Sequence, residues 1–207
     1  MNDTPSIKQI VIDFIYIREQ LKILFKDKIE YQPIVDFILA KDYLDDNLEI
    51  PFPRMKDIEE ATGLKSHILR KLLLQMHNHI FGFTNNLKLS FNKVLYHFTI
   101  NYYGKNCYFI MDKLEHLPRV GENISLPFVK AITNINWFYV EEIQHEFQDT
   151  TQNIHITLKV GSYNSFWHFR KDQALELNEV GFRDSLDLSD SQLKKKVYSN
   201  NHWHKYK

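Results

Sequence analysis

The chain has 207 residues, of which 43% are hydrophobic and 25% charged. These values are ordinary for a folded protein and allow one large domain or two small ones. The 26 basic and 26 acidic side chains cancel, which excludes a uniformly basic nucleic-acid coat but allows a local basic patch. The single cysteine, Cys107, excludes an intrachain disulfide.

The same features predict where the protein works. A lone cysteine fits a reducing compartment, and the N-terminal residues lack the basic start and apolar core of a signal peptide. No apolar run reaches the roughly 20 residues that a membrane helix needs. We therefore expect a cytoplasmic protein without a membrane partner, in which Cys107 lies in an apolar, strand-like run and fills the core.

The first predicted helix begins after Ser6, a candidate N-cap. Its apolar residues alternate at spacings of three and four: Ile7, Ile10, Phe14, Ile17, Leu21 and Leu24. This stripe either packs against the chain's own helices or forms a coiled-coil seam about three heptads long. We favour packing within the chain and keep a homodimer through the first helix as the alternative.

A second helix is predicted from Pro33, which suits the first turn of a helix. It would bury Ile34, Phe37 and Ile38. The acidic residues around position 45 and the prolines at 51 and 53 end this helix, because residues before proline avoid helical dihedrals. We expect the chain to be extended there before it enters the next helix pair.

Residues 54–78 predict two helices joined by a sharp turn. Ile58 and Ala61 face inward in the first helix, Gly63 supplies a turn that can require positive φ, and Ser66 is a candidate N-cap for the second helix. The second helix carries an apolar stripe at i, i+3, i+4 and i+7, formed by Leu69, Leu72, Leu73 and Met76.

The opposite side of this second helix carries hydrogen-bond donors suited to phosphates and base edges. They are Lys65, Ser66, His67, Arg70, Lys71, Gln75 and Asn78. The segment resembles the helix-turn-helix of bacterial DNA-binding regulators, including winged-helix proteins, over about residues 54–78. It departs from that family at Glu59 or Glu60 and at Thr62, where small residues are usual. The resemblance implies that residues 66–78 contact the major groove of duplex DNA.

Two functions follow from this resemblance. The first is a DNA-binding protein, either a transcriptional regulator or an architectural factor, that uses Lys65, Ser66, His67, Arg70, Lys71 and Gln75. The alternative is a non-enzymatic protein–protein interaction module in which the helix-turn-helix is structural. Residues 87–89 and 94–102 could add the wing of a winged helix, or their strands could belong wholly to a second domain.

After residue 83 the pattern changes to period-two and β-rich runs. Strands are predicted at residues 94–102, 107–111, 123–126, 137–147 and 154–160, and a further one at 165–169. We expect an α+β protein in which an N-terminal helical helix-turn-helix domain precedes a small antiparallel β-barrel or bent-sheet domain. The predicted domains are residues 1–84, residues 85–180, and a basic, partly disordered tail at 181–207.

No signature of an enzyme is present. The chain lacks a phosphate-binding glycine loop, a CxxC pair and a His-Glu-x-x-His motif. His145, His155 and His168 lie on successive predicted strands, but we expect surface or interface roles for them rather than a metal site. Trp137, Trp167 and the neighbouring aromatic residues are expected to fill the β-domain core rather than to stack on nucleic acid. We predict no catalytic residue, metal or cofactor.

Overall fold

The computed structural model describes residues 5–45, 47–83, 87–102 and 104–199. Its contacts divide the chain into two compact units. The first unit comprises Met1–Phe98, Phe109–Glu115 and Gln144–His155, and the second comprises Thr99–Tyr108, His116–Ile143 and Ile156–Lys207. In the described ranges, no helix has the length and apolar character needed to cross a membrane.

The first unit contains five α-helices in its described part. They are α1 (Ile7–Tyr16), α2 (Arg18–Leu24), α3 (Gln32–Leu39), α4 (Met55–Thr62) and α5 (Ser66–Phe81). Ser6 occupies the N-cap position of α1, although its side chain makes no capping hydrogen bond. Pro33 lies in the first turn of α3, as predicted, because its missing amide hydrogen is not needed there.

The predicted first helix is divided into two. Ile17 leaves helical geometry at φ −127° and ψ 27°, so α1 ends at Tyr16 and α2 begins at Arg18. Beyond this break, α2 buries Gln20 together with Leu21. A continuous apolar stripe in the sequence does not reveal such a break, because both segments keep an apolar side toward the same core.

The apolar stripe of the first helix packs inside the first unit. Ile10, Phe14 and Leu21 are fully buried and Ile17 nearly so, in a core shared with α3, α4 and α5. This finding supports packing within the chain. The seam that the homodimer alternative required is therefore not exposed for a partner helix.

The strands form one five-stranded sheet in the order β2-β1-β5-β4-β3. Their bounds are β1 (Lys93–Tyr102), β2 (Lys105–Met111), β3 (Asn123–Ser125), β4 (Trp137–Gln148) and β5 (Thr151–Val160). The expectation of an α+β fold is confirmed, but the barrel alternative is wrong. The short strand β3 pairs antiparallel with β4, and the strand order leaves β2 and β3 at open edges.

The sheet is also mixed rather than antiparallel. The Lys93 amide at the start of β1 donates to the Thr150 carbonyl just before β5, at 3.2 Å. Further along, His97 contacts Asn153 at 3.1 Å, so β1 and β5 run in the same direction. Alternating apolar residues show that a strand has one buried face, but they do not identify its neighbour or the neighbour's direction.

Several predicted strand features are confirmed. The hairpin β1–β2 turns at Gly104, whose φ is 75°, and Cys107 is buried and unpaired with another cysteine. In β5, Ile154, Ile156 and Leu158 form the buried face that the alternation indicated.

The predicted strand at residues 165–169 is instead part of helix α7 (Ser165–Glu176). Asn164 caps this helix, its side chain accepting a hydrogen bond from the Trp167 amide at 2.9 Å. The buried residues Trp167, Arg170 and Ala174 recur at i, i+3 and i+7, a helical period that a five-residue window is too short to reveal.

Most of the described part of the predicted tail is also helical. Helices α8 (Phe182–Asp187) and α9 (Asp190–Ser199) follow α7, after the short α6 (Lys130–Thr133) earlier in the chain. Leu193 and Val197 of α9 are buried against Trp167 and Ala174. The lysine-rich composition of residues 194–196 obscured this buried stripe. Residues 200–207 lie outside the described part of the chain.

Candidate nucleic-acid interface

Helices α4 and α5 are joined by a turn at Gly63. Its φ of 68° lies in the left-handed region, and no atom lies within 4 Å of the position that a Cβ would occupy. The backbone conformation, rather than crowding, therefore favours glycine here. Locally, α4 ends at Thr62 before this left-handed residue, and α5 begins three residues later at Ser66.

Thr62 holds this turn together. Its hydroxyl donates to the Ile58 carbonyl at 2.7 Å and accepts a hydrogen bond from the Leu64 amide at 3.3 Å. In the helix-turn-helix family that residues 54–78 resemble, a small residue is usual directly before the glycine, where this chain has Thr62. The hydroxyl instead satisfies an amide that leaves the helix, which gives this residue a structural role.

The core-facing side of α5 is formed by Leu69, Leu73, Met76 and Ile80. Leu72, predicted in the stripe, is only partly buried, and Ile80 extends the stripe by one further turn. In α4, Ile58 is buried as expected, whereas Ala61 is exposed. The N-cap of α5 is Lys65 rather than Ser66, and no side chain caps it.

All six side chains expected to contact DNA are exposed: Lys65, Ser66, His67, Arg70, Lys71 and Gln75. His67, Lys71 and Gln75 recur every four residues and lie opposite the buried stripe. Arg70 lies on the flank of this surface, one helical position before Lys71. Lys65 and Ser66 lie at the N-terminal end of the helix, where amide groups lack helical partners.

The cations of this surface are not neutralised by neighbouring carboxylates. In the ranges that the structure describes, Lys65, Arg70 and Lys71 form no ion pair. Two carboxylates of α4 are occupied within their own helix. Asp57 pairs with Arg54 at 3.3 Å, and Glu60 pairs with Lys56 at 3.6 Å.

The Arg54–Asp57 contact also begins α4. The Asp57 carboxylate accepts a hydrogen bond from the Arg54 amide at 2.8 Å. This backbone hydrogen bond and the Arg54 side chain lower the pKa of Asp57 below its usual range. Asp57 is therefore ionised at neutral pH, and its charge is balanced at the start of α4.

Helix α5 lies within a longer segment of the chain that has no acidic residue. Residues 61–111 contain no aspartate or glutamate, although they include α5 and the first hairpin. Lys88 and Lys93, both exposed, lie in this acid-free segment and extend the set of cations beyond α5. Scanning the sequence for the absence of acidic residues, rather than for basic clusters, reveals this segment.

The segment that follows α5 is not the first strand of a wing. Leu87 and Leu89 pack against the helical core, and residues 87–90 form neither helix nor strand. The Ser90 amide donates to the Gln20 side chain at 2.8 Å. Strand β1 lies between β2 and β5 in the sheet, and the division between the two units falls within it, after Phe98.

The two histidines near the end of α5 contact aromatic side chains. His77 contacts the Phe81 ring at a centroid distance of 4.9 Å. His79 lies 3.4 Å from the Tyr31 hydroxyl. The helix continues to Phe81, three residues beyond the predicted end at Asn78.

The three histidines considered as a possible metal set have different partners, and His155 also stacks on His97. His145 contacts Gln152 at 2.9 Å, His155 contacts Glu146 at 3.4 Å, and His168 of α7 stacks on Tyr163. Among the described residues, no group of three or more histidine, cysteine or acidic side chains is placed to hold a metal ion.

The aromatic residues of the second unit divide into core and surface. Phe138, Tyr139 and Trp167 are buried, whereas Trp137, Phe166 and Phe169 are largely exposed. The expectation that these aromatics fill a core is therefore correct for only part of the set.

Comparison with known proteins found no match: no family model, no curated protein and no solved structure is similar to this chain. Its function must therefore be argued from its own residues.

Proposed function

We propose that the protein binds duplex DNA through the exposed side of α5. The observation that carries this proposal is a 16-residue helix whose exposed cations are unpaired and which lies in an acid-free segment. Lys65 and Lys71 would contact phosphates, and Arg70 and Gln75 would reach phosphates or base edges. Ser66 and His67 add donors in the first turn.

The dimensions and polarity of α5 suit this role. A helix of this length extends about 24 Å, and the major groove, about 12 Å wide, admits an α-helix. No side chain caps α5. The Ile68 amide donates to the Lys65 carbonyl at 2.9 Å, so the amides of Ser66 and His67 are those that could bind a phosphate. Partial positive charge at a helix N-terminus favours such an anion.

The neutral total charge is compatible with this proposal. Phosphate binding depends on the local potential, and screening limits the reach of distant charges to about 8–10 Å at physiological salt. The acidic residues lie outside positions 61–111. Of the three carboxylates of α4, Asp57 and Glu60 are paired with cations, and Glu59 is the one that has no ion pair among the described residues.

The test is a titration of random-sequence duplex DNA with the full chain at several salt concentrations. The double variant Arg70→Ala with Lys71→Ala should bind more weakly at low salt. The slope of log K against log salt should fall in magnitude by about 1.8, because each lost phosphate contact contributes about 0.9.

A matched control separates a local contact from a change in net charge. Lys26 and Lys28 are also exposed. Replacing both with Ala removes two positive charges from the first unit, the same number as in the Arg70/Lys71 variant. This control should retain the wild-type salt slope. Equal slopes in the wild type and the Arg70/Lys71 variant would refute binding through α5.

A groove in the first unit supports the alternative of a protein-docking module. It has a volume of about 840 Å³, and its walls come from α3, the segment before α4, and α4 itself. Its apolar lining includes Phe37, Tyr43, Ile50 and Phe52. A pocket of this size is within the range that holds a ligand or a peptide side chain.

One variant distinguishes DNA binding through α5 from docking in the groove. If the groove is the functional site, Phe52→Ser should abolish the binding of apolar fragments detected by shifts of the Tyr43 and Ala61 amide signals in NMR spectra. The same protein would then show no salt-dependent affinity for duplex DNA. Fragment shifts at Tyr43 that survive Phe52→Ser would argue against a docking role for the groove.

A further inference from the structure

The second unit carries an apolar surface that its own described residues leave uncovered. On α7, Phe166 and Phe169 are three residues apart, and Leu177 follows eight residues later, so all three lie on the same side of the helix. On α8, Phe182 and Leu186 are four residues apart, and this helix has no buried residue. We name these five exposed residues the α7–α8 patch.

The chain geometry brings the start of α8 close to the end of α7. After α7, Asn178 adopts a left-handed φ of 53°, and the amides of Glu179 and Val180 donate back to the Ala174 carbonyl at 2.8 and 3.3 Å. Val180 is then buried in the same cluster as Ala174. Phe182, two residues later, therefore begins α8 beside the last turn of α7.

Helix α8 forms an ion pair with α9. The Lys196 ammonium lies 2.7 Å from the Asp184 carboxylate, and its hydrogen bond lowers the pKa of Asp184 below its usual range. The Asp184 carboxylate also accepts a hydrogen bond from the Gly181 amide at 3.1 Å. These two contacts connect α8 to α9 and to the residue that precedes α8, and a surface ion pair of this kind contributes little to stability.

The exposed area approaches what an interface requires. Phe166 and Phe169 are 65% exposed and Phe182 is 71% exposed. Because a covered aromatic side chain buries about 150–250 Å², these three leave roughly 300–500 Å² uncovered, before the two leucines are added. A standard interface buries about 800 Å² per partner, and about 65% of a homodimer interface is apolar, which is roughly 500 Å².

The charges around the patch favour a second copy of this chain over an anionic partner. The exposed ionic residues among and beside the apolar ones are Asp172, Glu176, Arg183 and Asp187. This set is mixed and slightly acidic, unlike the lysine- and arginine-rich border of a helix that lies on anionic lipid. Two copies can pair such a mixed border across a two-fold axis, with each surface contacting its equivalent.

We infer that the α7–α8 patch is the interface of a homodimer. The inference is independent of DNA binding, because none of its residues belongs to α5. It assigns self-association to a different surface from the first-helix stripe, which is buried in the core of the first unit.

The test is sedimentation velocity of the full chain at concentrations from about 1 to 100 µM, the range of a moderately stable complex. The wild type should show a concentration-dependent dimer. Phe169→Ser combined with Phe182→Ser should raise the dissociation constant by about tenfold or more, as expected for central aromatic anchors. Circular dichroism should show unchanged helix content.

Phe128→Ser is the matched control, because Phe128 is also in the second unit and 63% exposed but lies outside the patch. It should leave the dimer unchanged. Gln173, on the same side of α7, supplies a second measurement. Gln173→Cys should be joined to a second copy by a flexible bismaleimide, and the crosslink should disappear when Phe169 and Phe182 are replaced.

A monomer at about 100 µM would overturn the inference, and so would a dimer whose dissociation constant is the same in the double serine variant. Absence of the Gln173→Cys crosslink would also overturn the inference. A monomer that instead binds vesicles of phosphatidylcholine and phosphatidylglycerol, and loses that binding on Phe169→Ser with Phe182→Ser, would identify lipid as the occupant and exclude the dimer.

Discussion

Gln20 is a buried polar side chain whose removal should destabilise the first unit strongly. It is 3% exposed. Its side-chain amide donates to the Asp149 carbonyl at 2.5 Å, and its carbonyl accepts a hydrogen bond from the Ser90 amide at 2.8 Å. One side chain of α2 therefore satisfies two backbone groups that are distant in sequence, one in the β4–β5 turn and one in the segment after α5.

The expected cost follows from these two contacts. Each hydrogen bond contributes about 0.5–1.5 kcal/mol net, and both contacts of the Gln20 side chain are partly buried. Gln20→Ala should therefore lower the free energy of unfolding by up to about 3 kcal/mol. For a chain of this size, a loss of about 3 kcal/mol corresponds to a melting temperature lower by roughly 6–12 °C.

Urea unfolding followed by circular dichroism measures this loss, because the helices of the first unit dominate the signal and the described tryptophans, Trp137 and Trp167, lie in the second unit. Gln9→Ala is the control, because Gln9 is exposed and bonds only to Asp13 on its own helix. It should cost less than about 0.5 kcal/mol. A loss below about 1 kcal/mol for Gln20→Ala would show that water replaces the side chain and would refute the reasoning.

Two further predictions test the turn at Gly63 and the buried carboxylate of Asp149. Gly63→Ala should lower the free energy of unfolding in urea by about 1–2 kcal/mol, because alanine is strained in the left-handed region and no described atom crowds the new Cβ. Gly63→Asn should lower it less, and equal losses in the two variants would contradict this reasoning. Burial raises the pKa of Asp149, against the lowering effects of the Glu19 amide and the Arg18 guanidinium. Because the folded state then holds this proton to higher pH, the contribution of Asp149 to stability is greatest below its unfolded pKa of about 3.9 and declines as pH rises through the raised folded pKa. Asp149→Asn should remove that decline, and unfolding curves from pH 3.5 upward that keep a constant difference from wild type would refute it.

The charge distribution is central to the proposal of DNA binding. Counting basic and acidic residues over the whole chain conceals the acid-free segment at residues 61–111, because the totals are equal. The relevant quantity is the charge that a phosphate meets within about a Debye length. The unpaired state of Arg70 and Lys71 and the occupied state of Glu60 both depend on which side chains become neighbours on folding.

The secondary structure was most predictable where a local rule decided it. Pro33 marked the first turn of α3, Gly63 marked the turn between α4 and α5, and the alternation at Ile154, Ile156 and Leu158 marked the buried face of β5. The exposure of the donor side of α5 followed from the helical period of its apolar stripe. These features depend on residues within one or two turns of each other.

The local rules failed where two patterns overlapped. Residues 165–169 fit a short strand as well as one turn of a helix, and the capping bond from the Trp167 amide to Asn164 became visible only with the fold. Leu193 and Val197 lie among lysines, and this composition suggested disorder. In the structure their spacing of four places both on one side of α9, where they are buried in one cluster. The Ser66 cap was misplaced by one residue for a similar reason, since Lys65 takes the N-cap position without using its side chain.

Up to residue 160, the sequence by itself determined the classes of the main elements, the apolar sides of the helices and the turn at Gly104, because each depends on neighbours along the chain. Only the tertiary structure decided that β1 and β5 run parallel, that Gln20 joins three separate segments, and that the first-helix stripe is buried while the α7–α8 patch is not. These outcomes depend on which distant surfaces meet. A periodic stripe specifies that a face is apolar, but not what covers it.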